Sequence, residues 1–379
     1  MTEQHTTQPI LIIGLGAAGA SCAIFLALRG FKVTAVDRQL TKEFKVGESL
    51  SPDIKKILLA MDLWDEFQTY SHKPCYGNQS FWGSDIAEFH DFLQHPMGHG
   101  WHIDRPAFDQ MLVEKAKKLG VLVIDDTSVM SADYKQKNNH WNVTLKEDSS
   151  NNLQHLSYSF IVDATGRSRW LSRRQGIDKL YEDDQLALVA FLQQKNTNPL
   201  PGQSLIETTK NGWWYSAEIP HQRIVTSFLC TPDKEQRKQW RQPENWWKLI
   251  SSTAHTSKNI TPESFQLLEP PKFVAADSGV LESVIGQGWL AVGDAAMTYD
   301  PIASHGIVIS MASARQAAVS IDEYLNGNPE ALEDYSQLVY WSFQQYSEER
   351  QLLYKAEKRF TESHYWNTKL ILASHAKAS

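Results

Sequence analysis

One stretch near the start of the chain constrains its fold more than any other. Ile10–Ile13 is a short β-branched run that ends in the glycine turn GLGAAG, Gly14 to Gly19. Ala20, Ala23, Ile24, Ala27 and Leu28 then recur with helical spacing, and FKVTAVDR follows as an alternating strand ending at Asp37. Strand, G-x-G-x-x-G, helix, strand and acid, with Asp37 18 residues beyond Gly19, make the pattern of a dinucleotide-binding βαβ unit. Each part has a physical task. Gly14 permits the tight turn, and Gly16 lets backbone approach a pyrophosphate at the helix N-terminus. Gly19 lets helix and strand pack closely, and Asp37 can accept from ribose hydroxyls. Leu15, Ala17 and Ala18 complete the turn, and Arg38 follows the acid. To this point NAD and FAD are both open.

Three later segments favour FAD. VGESLSP, Val46 to Pro52, brings Glu48 and Ser49 soon after the acid, where an NAD fold would carry straight on into alternating strands and helices. IVDATG, Ile161 to Gly166, reads as a strand and turn followed by the basic stretch Arg167 to Arg174. Trp289 to Ala318 reads as strand, Gly293-Asp294 turn, a loop from Pro301, and a helix opening at Gly306. Asp294 can hold a ribityl hydroxyl, and the dipole of the helix favours the negative charge of a reduced flavin. Ala312, Ser313, Ala314, Ala317 and Ala318 are small enough for that helix to lie close to the sheet.

The set GLGAAG, VGES, IDRPAFDQML, VDATG and GDAAMTYDP resembles the FAD-dependent aromatic hydroxylases and flavin-dependent halogenases, over about Ile10 to Ile321. The resemblance implies an α/β fold: a glutathione-reductase-like FAD-binding Rossmann domain interleaved with a β-sheet substrate domain, plus C-terminal helices. The boundaries expected are 1–70, 100–175 and 273–328 for the FAD domain, 71–99 and 176–272 for the substrate domain, and 329–379 for the C-terminal segment. It also implies roles: Arg105 near the flavin or its phosphates, Val129 beside adenine, Gly293 and Asp294 on ribityl and phosphate, and Gly306-Ile307 against the isoalloxazine. Glu48, Ser49, Gly166 and Pro301 complete the cofactor set, with FAD held non-covalently.

Tryptophan halogenases carry an E-P-L-E-S-T-G segment and a W-x-W-x-I-P block. Here the matching loop is Asp300 to Gly306, with Ala303 in place of the glutamate, and WWYSAEIP sets Tyr215 and Ala217 where the two tryptophans belong. Lys73 falls near the halogenase lysine that carries the oxidant; the alternative is a solvated loop lysine. YGNQSFWGS, GHGWHIDRPAFD, GWWYSAEIP and DPIASHG together are similar to the LodB- and GoxB-type flavoproteins that mature cysteine tryptophylquinone amino-acid oxidases. That resemblance implies a monooxygenase hydroxylating a tryptophan side chain of a partner precursor protein, a quinoprotein amino-acid oxidase, with molecular oxygen. The competing readings are a hydroxylase or halogenase of a free aromatic metabolite, and an FAD-bearing escort that binds an apo-oxidase without catalysis.

His305, in the loop before Gly306, is the first catalytic candidate, since an imidazole titrating near neutrality can give or take a proton there; a backbone-bonded loop histidine is the alternative. Lys73 is the second. His99 and His102 are read as satisfying local backbone groups, with His99 also a candidate for the substrate pocket. On an alternating strand Trp213 and Tyr215 share one face and Trp214 takes the other. Trp82, Trp213 and Tyr215 are therefore assigned to the cavity. The spacing of His99, His102 and Glu48 matches no ligand pattern, and no metal is expected.

Composition narrows the partners. A formal net charge of -7 offers no field for nucleic acid. Cys22, Cys75 and Cys230 form no C-x-x-C and fit a reducing cytoplasm. Gly14, Gly16 and Gly19 interrupt the apolar run Ile10 to Leu28, so neither a membrane span nor a signal peptide is read there. Thirteen tryptophans, against about five for average usage, point to a large aromatic core or to an aromatic cavity or partner surface. Tyr335, Val339, Phe343 and Tyr346, then Leu353, Tyr354 and Phe360, predict two helices on the FAD domain. Thr2 to Gln8 reads as a polar tail, and Lys195 to Ser204 and Arg241 to Lys248 as loops. A second G-x-G-x-x-G is lacking, so the electron donor, NAD(P)H or a partner reductase, is left open.

Overall fold

The computed structural model describes residues 8–40, 44–92, 94–181, 183–196, 202–303 and 306–375. A six-stranded sheet runs in the order Ile285–Gly286, Trp289–Ala291, Phe160–Asp163, Ile10–Ile13, Val33–Val36, Leu122–Ile124. Every pair in it is parallel except the first. Ile10–Ile13 and both its neighbours are buried along their whole length, as continuous apolar strands are when both faces of a sheet are covered. Because Ile13 is in register with both Val36 and Asp163, the glycine turn, Asp37 and the VDATG turn emerge together at one edge.

The first helix, Ala17–Leu28, is buried as far as Leu26 except at Ala18, which is half-buried. It lies between the helices Gly306–Leu325 and Arg105–Lys118, and its last turn reaches solvent, leaving Leu28 50% exposed. The one-faced pattern read from the sequence is thus replaced by burial nearly all round. Ala314, Ala317 and Ala318 of the helix Gly306–Leu325 are fully buried, which is what lets it approach closely. An antiparallel meander (Thr127–Lys135, His140–Glu147, Leu153–Tyr158) joins the outer strand Leu122–Ile124 back to Phe160–Asp163.

The second large element is an eight-stranded sheet centred on Leu186–Gln194, Arg223–Cys230, Gly212–Ile219 and Ser204–Thr209, continued by Gly77–Phe81 and Glu88–Asp91. Its two faces follow the alternation of the strand Gly212–Ile219. Trp213, Ala217 and Ile219, with Tyr215 at the margin, join one apolar cluster. Trp214 joins another, covered by the helices Lys234–Trp240 and Pro243–Ser251. The segment Arg241 to Lys248, read as a loop, therefore holds a helix. Pro243 opens it, and Trp246 and Ile250, four residues apart, are fully buried.

A small three-stranded sheet joins the two large elements, with Ser49–Leu50 and Lys73–Cys75 flanking Gly100–His102. The two apolar stretches near the C-terminus lie largely on one helix, Ala331–Ala356, followed by His364–His375. Tyr335, Val339, Phe343 and Tyr346 pack into the core around the parallel sheet. Tyr354 packs with Tyr365 and Trp366 against the large sheet, so this helix spans both cores. Arg350, on the same helix, donates from Nε to Asp300 Oδ2 at 3.2 Å and pairs with Asp183, while Lys369 reaches Asp183 at 2.5 Å. All four side chains are at most 3% exposed. Six tryptophans (Trp141, Trp213, Trp214, Trp246, Trp289, Trp366) are buried, so much of the aromatic surplus fills cores. Among the described residues no helix is long and apolar enough to cross a membrane.

Candidate functional site

The glycine turn has the geometry that a bound pyrophosphate requires. Gly14 adopts φ +97°, and a Cβ there would sit 2.5 Å from the Ala164 carbonyl oxygen; one on Gly19 would lie 1.9 Å from that of Gly14. Both positions are closed by the protein itself. Gly16 differs: a Cβ there would meet only the Lys45 Nζ, at 3.8 Å. The space in front of Gly16 is open and has a cation beside it. No side chain caps the helix that starts at Ala17, so its first N–H groups and its dipole are free for an anion. Asp37 Oδ2 accepts from the Leu15 N–H at 2.7 Å and Oδ1 from the Gln39 N–H at 2.9 Å. The acid therefore also holds the turn in place. Arg38 is exposed.

Other elements converge on this edge. The Gly293–Ala295 turn has φ +58° at Gly293, and a Cβ there would lie 2.7 Å from the Ala18 Cβ and 3.3 Å from Ser310. Asp294 keeps 43% of its side chain exposed, with the Arg167 Nε 3.7 Å away. Asp163 accepts from the Thr165 N–H, the Thr165 hydroxyl and the Leu171 N–H at 3.1, 2.6 and 2.8 Å, shaping the turn at Gly166. Arg105 donates to the carbonyls of Val46 and Gly47 at 3.0 and 3.1 Å and to Asp109 at 2.8 Å. Lys45 also pairs with Asp109; burial pushes the Asp109 carboxyl up, but Arg105 and Lys45 outweigh it and hold it below its ordinary value. Val129 is buried on the meander. Pro301 is exposed, and nothing lies within 4 Å of a Cβ built on Gly306. The open cradles at Gly16 and Gly306, the nearby cations and the exposed Asp294 fit FAD.

Lys45 and Asp109 were not singled out in the sequence, and Arg167 only as the start of a basic stretch. Arg105 and Asp109 stand four apart on a helix, a spacing that could have shown the pair. Lys45 and Arg167 are brought in only by tertiary folding.

The Gly47–Ser49 turn links this edge to the large sheet. A Cβ on Gly47 would lie 3.3 Å from Ile307 Cδ1, and on the other side Ser49 Oγ is 2.5 Å from the Tyr215 hydroxyl. Glu48 is buried; burial raises its carboxyl pKa, while the N–H groups of Glu48 and Gly47 and the Tyr215 hydroxyl pull it back. Burial and the adjacent Glu48 hold the Tyr215 phenol well above its usual value. A narrow cleft runs here between the two large elements, lined by Phe44, Lys45, Glu48, Arg105, Phe191 and Ile219.

The remaining candidates are dispersed. Lys73 Nζ is 2.8 Å from Glu218 Oε1, with its side chain 44% exposed. His99 Nδ1 lies 2.8 Å from the Gly100 carbonyl, its ring against Tyr76 and Trp101. Trp82 and Trp213 pair edge to face at 5.7 Å, and Trp213 donates to the Tyr354 hydroxyl at 3.1 Å. His102 bonds not to local backbone but, through Nε2, to the Ser204 hydroxyl at 2.9 Å. His305 lies outside the described residues. Among the described residues no group of His, Cys, Asp and Glu is placed to hold a metal ion.

The fold and the site are those of a flavin-dependent oxidoreductase of the monooxygenase class. The chain belongs to the FAD binding domain family, whose model matches residues 7–345. It is 26% identical over 372 residues to the FAD-dependent oxidoreductase LodB of Marinomonas mediterranea, covering 97% of this chain and 98% of that one. The structure of the myxobacterial chondrochloren halogenase CndH superposes with a TM-score of 0.86 at 21% identity, over 98% of this chain and 87% of that one. QhpG, a peptidyl tryptophan dihydroxylase essential for tryptophylquinone cofactor biogenesis, superposes with a TM-score of 0.76 at 22% identity, over 96% and 78%.

Proposed function

We propose that this chain oxygenates a tryptophan side chain within a precursor quinoprotein amino-acid oxidase, as a step in cysteine tryptophylquinone biogenesis. The end-to-end likeness to LodB carries the reading. The fold shared with QhpG and the replacement of the halogenase glutamate and tryptophan by Ala303 and Ala217 support it. FAD, held non-covalently and reduced by NAD(P)H or a partner reductase, supplies the electrons that activate molecular oxygen. The chain's own residues do the rest. The turn at Gly16, with Lys45 beside it, takes the pyrophosphate; Asp37 and Asp294 take ribose and ribityl hydroxyls. The helix starting at Gly306 faces the ring system. The indole is taken to sit at the flavin edge beside Glu48, where excluding water strengthens every polar contact. Glu48, whose carboxyl pKa burial raises, lines the cleft, and His305 is the acid–base candidate. The place of work is the cytoplasm.

The test is mass spectrometry of the precursor's tryptophan peptide after reaction with reduced enzyme and oxygen. Oxygen added to one tryptophan supports the reading, and His305→Ala then lowers the rate by about 10²–10⁴ while FAD stays bound. An unmodified peptide together with efficient hydroxylation of free indoles or phenols moves the assignment to a metabolite hydroxylase. Bromide-dependent mass gain on those compounds moves it to the halogenase, and FAD-loaded protein that binds the precursor without modifying it makes the chain an escort.

A further inference from the structure

All thirteen tryptophans fall among the described residues, and twelve of them are buried or half-buried. Trp341 alone is exposed, at 61%. It stands on the outer face of the helix Ala331–Ala356, whose opposite face fills the core with Tyr335, Val339, Phe343 and Tyr346. Asp334, Leu338, Trp341, Gln345, Glu348 and Leu352 follow one another at alternating steps of four and three, a spacing that sets them along one line of a helix. Leu338 is 43% exposed and Leu352 68%. Acids interrupt this apolar line and rim it: Glu333, Asp334, Glu348 and Glu349 are all exposed. At its far end the line meets the loop after Phe81. Trp82 donates to the Leu353 carbonyl at 2.7 Å, and Ile86, four residues on, is 78% exposed. Large apolar side chains held in water add nothing to the stability of the fold, and a run of them marks a surface that another molecule covers.

We propose that this face is the docking surface for the precursor, which meets it with apolar side chains set among lysines and arginines. The proposal rests on the reading of the chain as an oxygenase of a protein-borne tryptophan, a substrate held by more surface than one indole offers. Charge and position choose the occupant. The four acids outnumber Lys355 on the exposed face and match a basic counterpart. A second copy of the chain does not supply one. Two such helices packed antiparallel about Trp341 set Glu348 opposite Asp334 and Glu349 opposite Glu333; packed parallel, each acid meets its own kind. Like charges so placed repel. Position favours a substrate. On its inner side the same helix holds Asp300: the Asp300 N–H donates to the Tyr346 hydroxyl at 2.5 Å, and Arg350 Nε donates to Asp300 Oδ2 at 3.2 Å. Asp300 opens the loop that leads to Gly306. A protein seated on Trp341 is thus one helix diameter, about 10 Å, from the anchor of that loop. Trp341 is the central contact, since tryptophan is among the residues that concentrate binding energy in an interface.

The docking surface is tested by calorimetric titration of unmodified precursor into the FAD-loaded protein, paired with oxygenation kinetics. Trp341→Ala, at an exposed position, should fold and keep FAD as the wild type does. It should weaken precursor binding and raise KM by about 10-fold or more, with kcat unchanged. A short peptide carrying the precursor's tryptophan, too small to reach the helix from the flavin edge, should be oxygenated equally by both proteins. Glu348→Lys combined with Glu349→Lys should also weaken binding, and added salt should weaken that of the wild type. Wild-type affinity in Trp341→Ala overturns the docking surface. So does a wild type that fails to bind the precursor, or a wild-type dimer that Trp341→Ala dissociates. If the precursor binds through Trp341 and gains no oxygen, the functional reading falls and the docking surface stands. If the precursor is oxygenated with a KM indifferent to Trp341, the docking surface falls and the functional reading stands.

Discussion

The Tyr215 hydroxyl lies 2.5 Å from the Ser49 hydroxyl, joining residues 166 positions apart and tying the large antiparallel sheet to the turn that borders the flavin edge. Through Ser49, the neighbour of Glu48, this sheet is bonded directly to the turn beside the residues proposed to hold the cofactor.

Gly16→Val should give folded but colourless protein. Its backbone φ of -69° suits any residue, and the nearest atom to a new Cβ is the end of Lys45 at 3.8 Å, so the fold has no quarrel with a side chain there; the pyrophosphate does. Visible absorbance and circular dichroism check this, and full FAD occupancy would falsify the role given to Gly16.

Lys73→Ala separates hydroxylase from halogenase. As a half-exposed lysine paired with Glu218, Lys73 contributes little to stability, about 0–1 kcal/mol. On the hydroxylase reading, activity on the precursor stays within a few-fold. Complete loss of turnover in folded, FAD-loaded protein would instead make the ammonium a carrier of the oxidant.

Arg350→Met should unfold the chain more easily by about 3–5 kcal/mol, the usual effect of removing one member of a buried ionic set. Asp183 and Asp300, each at most 3% exposed, would be left with Lys369 as the remaining cation of the four. Thermal and urea unfolding of the variant measure the loss. Because Asp300 opens the loop that leads to Gly306, FAD affinity should fall as well, and unchanged affinity would detach the network from the cofactor.

Acidification should destabilise the protein through two buried histidines, in a range above the ordinary carboxylate values. Burial lowers the pKa of His72 and of His102 from 6.5 to about 4. Between those values the unfolded chain binds more protons than the folded one, so stability present above pH 6.5 drains away as pH falls toward 4. For His102, the more deeply buried, the loss is at most about 3 kcal/mol. Urea midpoints from pH 7 to pH 4 should fall less steeply in His102→Gln; an identical slope would show that the imidazole is charged in the folded state.

Much of this protein was legible along the chain. The glycine turn, Asp37, the VDATG and Gly293-Asp294 turns and the helix at Gly306 are local: a positive φ, a close approach or an acid at a strand end must be met by particular residues at short spacing. The alternation of Trp213, Trp214 and Tyr215 likewise assigns faces before any fold is known. The helix at Pro243–Ser251 was also local, with Trp246 and Ile250 one turn apart, and was obscured by its polar surroundings. Tertiary structure alone decided which residues meet across the two large elements. Lys45 reaches Gly16, Arg167 reaches Asp294, and Ser204 reaches His102, 102 positions away. Arg350 reaches Asp300. Polar side chains leave no periodic trace of their partners. A buried charge or imidazole is recognised only when the structure shows what surrounds it, because its energetic cost is set by burial and by contacts from strands and helices distant in sequence.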